Sequence, residues 1–131
     1  MSNKKFIPAL ISLTICTVLL TGCYKTATLL IDNSPAITTT VSFSNDIQPV
    51  LASSCAKSGC HNGSVSPDLT AANAYNSLTL GFVNTGDPSN SDVYLWLTGK
   101  KAATMPLGSS NNPNNINALI LAWITQGAKN N

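Results

Sequence analysis

The 131-residue chain has no arginine, no glutamate, one histidine and two methionines. Charged residues make up only 9% of it, all lysine and aspartate. Each scarcity excludes something. A basic face of the kind that grips nucleic acid is missing. So is most general acid–base machinery, because the five carboxylates are dispersed aspartates. One imidazole rules out any site that needs two from the same chain. No apolar run reaches the ~20 residues of a membrane-spanning helix; the longest lies between Phe6 and Leu20.

That run has its own meaning. Lys4 and Lys5 precede it and "LTGC" closes it at Cys23. A basic start, a short apolar stretch and a small-residue processing site make a signal peptide over residues 1–22. An uncleaved signal-anchor helix is the alternative, and the shortness of the run argues against it. "LTGC" resembles the lipobox of bacterial lipoproteins. That resemblance implies cleavage before Cys23 and acylation of Cys23, an anchor of several chains. On it the mature chain carries as many lysines as aspartates, stands outside the cytoplasm, and keeps two cysteines, Cys55 and Cys60. In such a compartment thiols are bridged or consumed by a cofactor.

Residues 23–43 then read as a lipidated cysteine and a Thr-rich tether, and 44–131 as one all-α domain. "SNDIQPVLASSC" puts Ile47, Val50, Leu51 and Ser54 at helical spacing, with Asn45 or Asp46 as cap and Pro49 in the first turn. A second helix is predicted from a Thr70 cap, with Ala71, Ala74, Tyr75 and Leu78 on one face. "SDVYLWLTG" reads as a third that stops at Gly99. The last is the clearest. Asn112 caps it, Pro113 occupies its first position, Ile116, Leu119, Ile120, Trp123 and Ile124 form its apolar stripe, and Gly127 ends it. Trp123 is expected in the core, against the helix that delivers Cys55. So small a domain needs a staple.

The chemistry concentrates in "CAKSGCHNG". Cys55, Cys60 and His61 offer a zinc ion three ligands, two of them sequence neighbours, where four are usual. A Cys–His nucleophile pair requires the two side chains to face each other, normally from distant parts of the chain. A Cys55–Cys60 disulfide accounts for the thiols but leaves His61 without a task. Haem attachment uses all three: C-x-x-C-H joins two thiols to the vinyl groups and gives the histidine to iron. Here the first gap is four residues, so "AKSG" must bulge, and Gly59 supplies the backbone freedom. If the iron takes a methionine, it must be Met105, since Met1 leaves with the signal peptide. Pro106 would stiffen its approach. A vacant position, water, Lys100 or Lys101 are the other candidates.

"NDIQPVLASSCAKSGCHNG", "PDLTAANAYNSL", "GDPSNSDVYLWLTGK", "TMP" and "ILAWITQGA" occur in this order. Together they resemble the bacterial c-type cytochrome domains of the planctomycete-type family. The resemblance implies a small cytochrome c-like fold around one covalent haem c. Cys55 and Cys60 would attach it, His61 would be the proximal ligand and Met105 the distal one. It implies outer-sphere electron transfer with redox protein partners, from the periplasmic or outer-membrane face of the bacterial envelope, and no enzymatic activity of its own. Two other readings stay open: a haem-free surface lipoprotein with a Cys55–Cys60 disulfide, and a haem enzyme with an open distal position. Tyr94 or Trp96 could hydrogen-bond a propionate, or simply present a polar tip to solvent.

Overall fold

A computed structural model describes residues 36–101, 105–107 and 115–131. The signal peptide, Cys23, the first part of the tether and the Asn112–Pro113 cap lie outside the described residues. The described residues contain helices and turns and no strand, in keeping with an all-α domain.

The first helix, α1 (43–55), is unusual from its start. It runs as a π turn Phe43–Ile47, a short α segment Gln48–Val50 and a second π turn Leu51–Cys55. Its cap is Ser42, not Asn45 or Asp46. The Ser42 hydroxyl accepts from the Asn45 N–H at 3.2 Å, and Asp46 Oδ2 accepts from the Ser42 N–H at 2.8 Å. This reciprocal pairing works as a capping box does. Pro49 therefore falls beyond the first turn. It cannot donate and its ring crowds the carbonyl four residues back, so the backbone around it widens.

α2 (Ala74–Thr79) starts later than Thr70. Thr70 instead closes a preceding turn, its carbonyl accepting from Asn73 and Ala74. Asp68 organises that turn, taking the Thr70 N–H at 3.0 Å, the Thr70 hydroxyl at 2.7 Å and the Asn73 amide at 2.6 Å. Ala71 is exposed, while Ala74 and Leu78 are buried and Tyr75 half-buried. After a 3-10 turn, Pro88–Asn90, α3 spans Asp92–Leu97. It ends as expected at Gly99, φ 70°, where the Lys100 N–H returns to the Leu95 carbonyl. α4 spans Ile116–Thr125, begins directly after Asn115 in the left-handed region, and ends at Gly127, φ 94°.

The apolar stripe of α4 is the spine of the core. Ile116, Ile120, Trp123 and Ile124 are fully buried against Ile47, Val50 and Leu51 of α1 and Ala74 and Leu78 of α2. Trp123 meets Phe43, in the first turn of α1, at a ring separation of 5.2 Å; Tyr75 stands edge-on to Phe43 at 5.3 Å. The packed domain begins before Ser44, because Val41 and Phe43 are 3% and 4% exposed. The Gln126 side chain accepts from the Val41 N–H and donates to the Thr39 carbonyl, both at 2.9 Å. Asn131 takes the Phe43 N–H at 2.9 Å. These contacts clasp the end of the expected tether to the tail of α4. Among the described residues no helix is long and apolar enough to cross a membrane.

Candidate functional site

α1 delivers Cys55 at its last turn, where the Ala56 N–H closes onto the Leu51 carbonyl at 2.8 Å. The spacer then folds back. The Cys60 N–H reaches the Lys57 carbonyl at 2.9 Å, and the His61 N–H reaches the Cys55 carbonyl at 3.2 Å. Gly59 makes this reversal possible at φ 76°, as the four-residue gap required. The Leu69 N–H bonds the His61 carbonyl at 2.7 Å, tying the loop to the segment before α2.

His61 is oriented by backbone carbonyls. Its Nδ1 lies 3.1 Å from the Pro67 oxygen and 3.3 Å from the Val65 oxygen. Carbonyls only accept, so Nδ1 carries the proton and donates. The neutral ring then keeps a bare lone pair on Nε2, the tautomer a metal-binding imidazole needs. No sequence signal pointed to Val65 or Pro67, because the acceptors are main-chain atoms that any residue could supply.

A cavity of about 330 Å³ opens beside this imidazole. Leu51 and Cys55 of α1, Leu78 of α2, and Trp96 and Leu97 of α3 line it, together with Phe82 before α3. His61 and Met105 line it as well. The fold thus brings Cys55, His61 and Met105 to one apolar space. Met105 is held there by its N–H, which donates to the Trp96 carbonyl at 3.2 Å. Cys60 is exposed and does not line the cavity. Both thiols are free, and burial pushes the Cys55 thiol up, with the neighbouring Cys60 adding to the shift. Such a thiol stays protonated at neutral pH.

The other expected candidates, Trp96 apart, fall elsewhere. Lys101 Nζ pairs with Asp92 Oδ2 at 2.5 Å, and Lys100 Nζ sits 5.7 Å from the Tyr94 ring centre. Tyr94 is buried away from the cavity lining; Trp96 is part of it. Trp123 belongs to the core. Among the described residues no three His, Cys, Asp or Glu side chains group closely enough to hold a metal ion. A second concavity, about 360 Å³ beside the Gln126 clasp, holds none of the residues the sequence singled out. No family model, curated protein or solved structure matches the chain.

Proposed function

We propose that the protein is a lipid-anchored, monohaem c-type cytochrome with a cytochrome c-like fold. It would carry electrons outside the cytoplasm, in the bacterial envelope. The observation that carries this reading is one apolar cavity shared by a thiol, an imidazole with Nε2 bare, and a thioether. A bare ion gains nothing from leucine and phenylalanine walls, whereas a flat apolar macrocycle does.

Haem would supply the one-electron iron couple. Every other part belongs to the chain. His61 would hold the iron through Nε2, with the Pro67 carbonyl fixing the ring and raising its basicity. Met105 would offer its thioether sulfur as the other iron ligand, and a Met/His pair raises the potential. Cys55, in the lining, and Cys60, exposed outside it, would make the covalent attachment, each S–H adding across a vinyl double bond. Leu51, Leu78 and Phe82 exclude water. With His61 and Met105 both bound to it, the iron would be closed to substrates, and redox proteins would be the partners. Lipid on Cys23 ties the carrier to a membrane.

The test is an alkaline-pyridine spectrum and a denaturing gel of the exported, fully matured protein. One haem per chain, with colour retained on the gel, is expected. A colourless protein with both thiols recovered by a reductant would overturn the reading in favour of a haem-free lipoprotein. A coloured protein with a five-coordinate ferrous spectrum would point to an open site.

A further inference from the structure

We propose that Asn62 is a site of self-modification: the Gly63 backbone nitrogen attacks its side-chain amide, the resulting cyclic imide opens to aspartate or isoaspartate, and the turn that orients His61 is loosened. The chemistry needs an activated carbonyl, a free backbone nitrogen and an amide free to leave. The turn after His61 supplies all three. Asn62, Gly63 and Ser64 are exposed. The Ser64 hydroxyl donates to Asn62 Oδ1 at 2.9 Å, where negative charge develops as the nitrogen adds. The Asn62 side-chain NH2 and the Gly63 N–H donate to nothing among the described residues. Gly63, at φ 97°, has no side chain to obstruct its nitrogen. Asn62-Gly63 is also the one Asn-Gly pair in the chain.

Other exposed asparagines lack one of these conditions. The Asn73 and Asn90 amides donate to Asp68 and Asp87 at 2.6 and 2.7 Å. Asn84 Oδ1 accepts two backbone N–H groups, from Gly86 and Asp87, and its chain neighbour is Thr85. The nitrogens that follow Asn45 and Asn76, those of Asp46 and Ser77, are bonded to the Ser42 and Asn73 carbonyls.

In the step the Gly63 nitrogen bonds Asn62 Cγ and the Cγ–Nδ2 bond breaks. The proton lost by Gly63 and the departing NH2 leave as ammonia. Water then opens the ring at either carbonyl. Opening at the main-chain carbonyl gives isoaspartate, which adds one carbon to the backbone. That carbon enters the turn closed by the Val65 N–H on the Cys60 carbonyl at 3.1 Å. The same turn places the Val65 oxygen on His61 Nδ1. Nothing in the step uses the cavity or Met105, so it proceeds with or without haem.

The test holds the purified, exported protein in mildly alkaline buffer and digests samples over time. Isoaspartyl methyltransferase labelling and fragmentation mass spectrometry then identify each converted asparagine. Aspartate and isoaspartate should appear first at Asn62, while Asn45, Asn73, Asn76, Asn84 and Asn90 keep their amides. Ser64→Ala should slow the conversion of the folded protein about fivefold, the worth of one hydrogen bond, and the difference should vanish in denaturant. Asn62→Gln, which must close a larger ring, should remove the products. In the separated isoaspartate form the His61 ring N–H should exchange with solvent faster than in the parent. An Asn62 that persists while one of the other five converts overturns the proposal. So does a folded Ser64→Ala protein that converts at the wild-type rate, or an effect of equal size in denaturant. Unchanged exchange at His61 overturns the loosening of its turn. If Ser64→Ala does not fold, the order of conversion in the wild-type protein decides alone.

Discussion

His61 works through its neighbours. Among the described residues its ring partners are the Pro67 and Val65 carbonyl oxygens, which in the neutral form select one tautomer and leave Nε2 available. On the proposed haem reading, His61→Ala should abolish a six-coordinate spectrum. Met105→Ala should keep the covalent colour and lose the iron–sulfur charge-transfer band; survival of that band would remove Met105 as a ligand. A second residue-scale prediction concerns Asp68. Three hydrogen bonds, the Thr70 N–H foremost, hold its carboxyl below the usual carboxylate range. A depressed folded pKa contributes stability that is complete above the unfolded value and is lost as pH falls through the folded one. Asp68→Asn should thus lower the melting temperature at neutral pH, and the gap to wild type should close below about pH 4. A constant gap across that range would exclude the carboxylate as its cause. At this scale the scarcity of Cys, His and Met kept the list of candidate side chains short. The tautomer of His61 was hidden, because its acceptors are backbone atoms.

At the scale of elements, the helix ends were read better than the starts. Gly99 and Gly127 stop α3 and α4 because glycine alone enters the left-handed region without strain. A methyl group at Gly127 would touch nothing, so its cost is purely conformational. Gly127→Ala should destabilise the domain by about 1–2 kcal/mol in chemical denaturation. The starts depend on which of several small polar residues wins. Ser42 prevailed over Asn45 because Asp46 can return its hydrogen bond. The turn built on Asp68 pushed the start of α2 past Thr70 and left Ala71 in solvent. Local chemistry listed the competitors, and reciprocal bonds chose among them.

Over the whole molecule, one tryptophan and one clasp join what the sequence keeps apart. Trp123 is 1% exposed and touches the rings of Phe43 and Tyr75. Trp123→Ala should cost about 3–5 kcal/mol, comparable with the whole stability of a small domain. Its signature would be loss of a cooperative thermal transition in the haem-free chain. Gln126 bridges residues 39 and 41. Gln126→Ala should cost about 1 kcal/mol and speed proteolysis before Phe43, leaving α2 and α3 protected.

The sequence by itself determined the helical class, the stripe of α4, the stop residues, and the short list of sulfur and imidazole side chains. These follow from periodicity, backbone freedom and rarity, which are local or compositional properties. Only the tertiary structure decided that Cys55, His61 and Met105 share one apolar cavity while Cys60 stays outside it. It also decided that the supposed tether ends inside the core at Val41. Both depend on contacts between residues far apart in the chain, and burial is a property of the packed molecule that no short stretch of sequence carries.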